Sequence, residues 1–89
     1  MLKIKYSSQF KKDFKKIRNL PLAELKAISE VISTLEKNLT LDKKYKDHEL
    51  SGNWAKFREC HIKPDLLLIY KVNADELQLA RLGSHSDLF

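Results

Sequence analysis

The chain opens on Leu2-Lys3-Ile4-Lys5-Tyr6, where apolar and charged side chains alternate with period two. That pattern predicts a short first strand. From Phe10 the period changes: Phe10, Phe14 and Ile17 recur at helical spacing, with Ser7 or Ser8 placed to cap. Lys11, Lys12, Lys15, Lys16 and Arg18 gather on the other side of that wheel. Asn19-Leu20-Pro21 breaks the helix, and Pro21 suits the first position of a second one. Leu25, Ile28, Ile32, Leu35 and Leu39, widened by Val31, form its apolar stripe. Residues 7–19 and 21–38 therefore read as a helical hairpin with both stripes turned toward one partner. A polar connection runs from Thr40 to Asn53.

Three strands are expected after that connection. Trp54 to Ile62 is the first, and Lys63-Pro64-Asp65 turns the chain. Leu66 to Val72 is apolar enough to be central, Asn73-Ala74-Asp75 turns again, and Glu76 to Leu82 is the last strand, stopped by Gly83. The expected order is β-α-α-β-β-β: an α+β fold with a small, antiparallel-rich four-stranded sheet and the N-terminal helical hairpin packed on one face. One position resists the pattern. Leu77, Leu79 and Arg81 share a strand face, so either a C-terminal tail covers the leucines or a bulge changes the parity.

Eighty-nine residues make one domain, 1–89, and leave no room for separate catalytic and regulatory cores. No apolar run approaches the ~20 residues of a bilayer span, and the alternating start is not a signal peptide, so no membrane role is expected. The single cysteine, Cys60, cannot form an internal disulfide, which favours the cytoplasm. Net charge is +5 and lopsided. Residues 1–45 hold 11 Lys/Arg against 5 Asp/Glu, whereas residues 46–89 hold 6 against 7. A basic half is the electrostatic footprint of a polyanion, or a solvated helix face, or a surface for an acidic protein.

All three histidines lie in the second half, among Arg58, Glu59, Asp65 and Arg81. His61 and Asp65 flank the Lys63-Pro64 turn, His85 follows the last strand, and His48 lies just before the first strand of the C-terminal half. In a small antiparallel sheet such positions become neighbours, so one site can collect His48, His61, Asp65, Arg81 and His85. Histidine is the side chain that exchanges protons near neutrality, and arginine matches phosphate geometry. Base, acid and fixed cation are what side chains need to cleave RNA through its ribose 2′-OH. Arg58, Lys11 and Lys15 are further cations for substrate contact. A zinc site is disfavoured, because Cys60 and His61 point to opposite strand faces and the histidines lack short ligand spacings. No metal or cofactor is expected. Cys60, Trp54, Phe57 and Tyr70 read as core, with Trp54 able to stack a base only if exposed.

Three blocks then carry a resemblance: Lys46-Asp47-His48-Glu49-Leu50-Ser51-Gly52-Asn53-Trp54, Phe57-Arg58-Glu59-Cys60-His61-Ile62-Lys63-Pro64-Asp65, and Arg81-Leu82-Gly83-Ser84-His85-Ser86-Asp87-Leu88-Phe89. In this order they resemble the YafQ-type branch of the RelE/ParE toxin superfamily. The resemblance implies a RelE-like fold and a toxin of a type II toxin–antitoxin pair that cuts mRNA in the ribosomal A site without a metal. It implies His48, His61, Asp65 and His85 as acid–base residues, with His85 the general acid. Arg81 would hold the phosphate and Phe89 would help position the substrate. Leu66 stands where close relatives can carry Trp. The implied partners are a cognate antitoxin, the ribosome with its mRNA, and operator DNA through the antitoxin complex. A non-enzymatic protein-binding toxin, like the gyrase-poisoning branch, is the alternative, as is a nucleic-acid-binding module.

Overall fold

The structure, a computed structural model, describes residues 1–89. Strand β1 (Lys3–Tyr6) passes into helix α1 (Ser8–Ile17) through Ser7. The Ser7 hydroxyl accepts from the Phe10 N–H at 2.9 Å and donates to the Ala80 carbonyl at 2.7 Å. One N-cap thus satisfies a free helix donor and also pins the helix start to the far end of the chain. The buried side of α1 differs from the expected stripe. Phe10 and Asp13 are buried while Phe14 stays 41% exposed. Asp13 is turned in because it meets Arg81 and the Leu82 N–H there.

Helix α2 (Leu22–Glu36) starts after Pro21 and buries Ile28, Val31 and Leu35. Asn38 adopts a left-handed φ of 59° and ends it. Leu39, counted with the apolar stripe in the sequence, therefore lies beyond the helix and is exposed, and Leu41 is buried instead.

The remaining elements are β2 (His48–Glu49), β3 (Arg58–Lys63), β4 (Leu66–Asn73), β5 (Glu76–Gly83) and α3 (His85–Leu88). They build a five-stranded sheet in the order β1-β5-β4-β3-β2. β1 runs parallel to β5, and every other pairing is antiparallel. The α+β class and the hairpin on one face stand as expected, but the sheet has one more strand than the four expected. The extra strand is two residues long, too short to leave a periodicity. The strand expected at Trp54 begins only at Arg58, since Gly52–Trp54 forms a single helical turn with Gly52 at φ 66°.

The sheet has two unlike faces. On one, α1 lies over β5 and α2 over β3, sealing a core that includes Cys60, Leu68, Tyr70, Leu77 and Leu79. On the other, Leu67 and Ile69 pack under Leu88, with Leu50, Trp54, Phe57 and Ala80 around them. β4 is covered on both sides, which explains its unbroken apolar run from Leu66 to Tyr70. Each such side chain contributes roughly 2 kcal/mol relative to exposure. The parity of β5 is resolved by a bulge. Ile69 pairs with Arg81 and Tyr70 with Leu79, so Ala80 is the extra residue. Leu77 and Leu79 keep the helical face, while Arg81 is freed to leave the sheet where β1 has already stopped opposite Leu79.

Candidate active site

His48 on β2, His61 on β3 and His85 on α3 come together on the sheet face opposite the helices. Register dictates this. His61 pairs with Leu67 and Glu59 with Ile69, and those partners belong to the second cluster; His48 pairs with Glu59. The ring centroids of His48 and His61 are 6.1 Å apart, and those of His61 and His85 are 5.7 Å apart. Three imidazoles distant in sequence thus form one row.

Each ring has a neighbour that orients it. His85 Nδ1–H donates to Asp65 Oδ1 at 2.8 Å, and the His85 backbone N–H donates to the same oxygen at 3.0 Å. Those two bonds, backbone first, hold the Asp65 carboxyl below the usual carboxylate range. His85 Nε2 is left free for chemistry. Asp65, expected among the acid–base residues, is in this geometry the carboxylate that aims His85. His48 Nδ1–H donates to the Lys46 carbonyl at 2.8 Å, leaving its Nε2 lone pair inward. That Nε2 is 3.6 Å from Glu59 Oε1, and His61 Nε2 is 3.5 Å from the same oxygen. Glu59 is buried, its side chain only 8% exposed. The sequence placed Glu59 in the right stretch without choosing it. Its signal is a charged residue at i−2 of a histidine on one strand, hence on the same face.

Arg81 approaches the site from the edge of β5. Its Nε–H donates to Asp13 Oδ2 at 2.8 Å, and Nη2 donates to Asp13 Oδ1 at 3.3 Å and to the Asp87 carbonyl at 3.4 Å. The guanidinium therefore bridges α1 and α3 and keeps Nη1 unspent. Burial pushes the Asp13 carboxyl up, but bonds from Arg81, the Leu82 N–H and Gln9 outweigh it and hold it below its ordinary value. No bond links Arg81 to an imidazole.

Three expected substrate contacts are not brought to the histidines. Arg58 pairs with Tyr70, whose side chain is in the helical-face core, and its Nε–H donates to Asp47 at 3.1 Å. The Tyr70 hydroxyl donates to the same Asp47 oxygen at 2.7 Å, and burial together with Asp47 raises the phenol's proton affinity. Lys11 and Lys15 line a groove between α1 and α2, again on the helical face. Phe89 is 64% exposed, its N–H donating to the His85 carbonyl at 2.9 Å. Other lysines take the place nearer the site. A cleft of about 630 Å³ is lined by Lys26, Lys44, Lys46, Lys63, Tyr45 and His61. Lys44, Tyr45 and Lys46 among them lie in what the sequence shows only as a polar connection. Cys60 is fully buried on the helical face, and burial pushes its thiol up to about 12, so it is no nucleophile. Trp54 meets Phe57 edge-on at 5.3 Å and serves packing. The spacing argument against a metal site does not survive folding, since His48, Glu59 and His61 bring ligand atoms within 4.8 Å of one another.

A small α+β sheet carrying a histidine row and an arginine at the end of its last strand is the build of a bacterial toxin. Residues 2–89 match the family model described as bacterial toxin of type II toxin-antitoxin system, YafQ, and the chain belongs to that family. It is 38% identical over 88 residues to the mRNA interferase toxin YafQ of Escherichia coli strain K12, covering 97% of this chain and 94% of the relative. Two solved structures superpose over all of it. A metal-bound toxin from Helicobacter pylori has a TM-score of 0.88 at 47% identity, covering 100% of that chain. The E. coli DinJ-YafQ complex has a TM-score of 0.85 at 38% identity, covering 99% of that chain.

Proposed function

We propose that this toxin cleaves mRNA as an endoribonuclease, by acid–base attack of a ribose 2′-OH on the adjacent phosphate. The observation that carries the reading is the row of three imidazoles, one of them aimed by Asp65. His61 or His48 removes the 2′-OH proton through Nε2. Each Nε2 lies 3.5–3.6 Å from the Glu59 carboxylate, whose negative charge favours the imidazolium that forms. The 2′-oxygen attacks phosphorus in line. Arg81, anchored by Asp13, offers Nη1 to the charge building on the phosphate. His85, held by Asp65, gives its Nε2 proton to the departing 5′-oxygen. Phe89 flanks the base, and the lysine-lined cleft offers the RNA backbone its positive wall. That single side does not enclose a strand, so the ribosome supplies the remaining orientation and the toxin works in the cytoplasm.

A cognate antitoxin is the second partner. The groove of about 830 Å³ between α1 and α2 is floored by Phe10, Phe14 and Ile28 and bordered by Lys11 and Lys15. It suits an amphipathic helix with an acidic edge. Operator DNA is reached through that antitoxin.

Expression in cells, with primer extension on a reporter mRNA, tests the reading. Growth arrest with cuts inside codons is expected. His85→Ala should abolish the cuts while keeping antitoxin binding. Intact mRNA from folded protein, with DNA supercoiling inhibited instead, would transfer the chain to the non-enzymatic alternative.

A further inference from the structure

His48 stands on the weakest element of the sheet. β2 is an edge strand of two residues, paired to β3 only through His48 with Glu59 and Glu49 with Arg58. So short a ladder offers little hold by itself on a side chain that is 49% exposed. The residues on either side of His48 point to the opposite face of the sheet, and both are engaged there. The Tyr70 hydroxyl donates to Asp47 Oδ1 at 2.7 Å, and Arg58 Nε–H donates to the same oxygen at 3.1 Å. Arg58 Nη1 also reaches Glu49 Oε1 at 3.5 Å.

Tyr70 makes a firm post. It lies on β4, the strand covered on both sides, and is only 2% exposed. Burial, and then the Asp47 carboxylate, raise the proton affinity of its phenol, so the hydroxyl stays a donor. On the other side of Asp47, Lys46 has φ 50° and ψ 41°, a left-handed conformation that a lysine keeps only where its neighbours hold it. There the Lys46 N–H donates to the Lys43 carbonyl at 3.0 Å, and the Lys46 carbonyl accepts His48 Nδ1–H at 2.8 Å. A carbonyl can only accept, so the neutral ring carries its proton on Nδ1 and presents Nε2 to the row.

We infer that Asp47, clamped by Tyr70 and Arg58, is a positioning residue for mRNA cleavage: it fixes the turn from Lys46 to His48 and so aims the His48 imidazole. The effect on cleavage rests on the acid–base reading above, whereas the hold on the ring stands on the bonds alone. Asp47 touches no reacting atom, because its carboxylate lies on the helical face. A tyrosine hydroxyl buried in the core thus governs a histidine on the open face. Asp47 does for His48 what Asp65 does for His85 and Asp13 does for Arg81, but through the backbone rather than by direct contact.

Tyr70→Phe removes the hydroxyl and keeps the ring in the core, and Asp47→Ala removes the acceptor. Circular dichroism checks that the full-length variants are folded at the assay temperature; if Asp47→Ala is not, Tyr70→Phe decides alone. In single-turnover cleavage of ribosome-bound mRNA the rate should fall about 10-fold for Tyr70→Phe and about 100-fold for Asp47→Ala, with the half-saturating ribosome concentration unchanged. In a His48→Ala background each substitution should cost less than about 2-fold, because the ring it aims is gone. Imidazole nitrogen-15 NMR, with the ring neutral, should show the Nδ1–H tautomer of His48 in the wild-type chain and a tautomer mixture in both variants. Equal losses with and without the His48 ring make the clamp merely structural and overturn the inference, as do undiminished cleavage in a folded variant and an unchanged tautomer. If His48→Ala leaves no measurable cleavage, the tautomer comparison decides. Full cleavage by His48→Ala also overturns the inference, yet leaves the nuclease reading on His61 and His85. A wild-type chain inert toward mRNA overturns the nuclease reading and the role in cleavage with it, while the NMR comparison still decides the hold on the ring.

Discussion

The Asp13–Arg81 pair joins the first helix to the last strand, and its removal has a calculable cost. Asp13 is only 3% exposed and accepts three bonds from the β5 segment: Arg81 Nε at 2.8 Å, Arg81 Nη2 at 3.3 Å and the Leu82 N–H at 3.0 Å. Asp13→Ala leaves the Leu82 N–H unsatisfied and the guanidinium without its counter-charge. Breaking a buried pair costs about 3–5 kcal/mol. Arg81 is 20% exposed and can partly rehydrate, so the lower end applies, about 3 kcal/mol. For a domain of this size that is a fall in Tm of roughly 12–24 °C. Asp13→Asn keeps an acceptor for Leu82 but loses the charge, and should cost about half as much. The sign with pH is fixed by the lowered carboxyl of Asp13. Its contribution is complete above the unfolded value of about 3.9 and disappears as pH falls through the lower folded one, so wild-type and Asp13→Asn stabilities should converge in acid. Urea unfolding at pH 7 and at pH 3, with a double-mutant cycle through Arg81→Ala, measures this. A coupling below about 0.5 kcal/mol at pH 7 would refute the argument. Cleavage should suffer as well, by about 100-fold, because Arg81 loses its anchor.

Asp65→Asn removes the acceptor charge that aims His85, so single-turnover cleavage on ribosomes should fall while the unfolding midpoint barely moves, Asp65 being on the surface. An equal loss of stability would mean the contact is structural. Cys60 should resist iodoacetamide in the native chain and react with one equivalent in guanidinium, read by mass spectrometry; rapid native labelling would contradict its burial. Gly83→Ala puts a Cβ 3.3 Å from Asp87 Cβ, so α3 must give way by a few tenths of an ångström. Cleavage should drop more than stability, and a fully active variant would show that the placement of His85 is not critical.

The period-two and helical patterns located β1, α1, α2, β4 and β5 because each buries one side or both against the single core. They failed where geometry is set by contacts distant in sequence. Phe14 was expected to be buried with Phe10 and Ile17, but Asp13 holds that position only because Arg81 arrives from 68 residues away. β2 is a two-residue strand that exists by pairing with β3. The α3 turn had a readable cue, Ser84 with Asp87 three residues on, which forms a capping box. The three imidazoles were legible as residues, and their meeting followed from antiparallel neighbours. Glu59 was legible only as a charged residue on the same strand face as His61; its place between two rings depends on the pairing of β2 with β3.

The parallel pairing of β1 with β5 also orders events during folding. His48, Glu59 and His61 lie within fourteen residues of one another and assemble once β2 and β3 pair. Lys3 meets Glu76 only after a loop of some seventy residues has closed, and Asp13 grips Arg81 in the same docking. Closing so long a loop is slow relative to forming a hairpin. A nascent or half-collapsed chain thus brings His48, Glu59 and His61 together before Arg81 has its carboxylate partner, and the full constellation forms only in the final, long-range step.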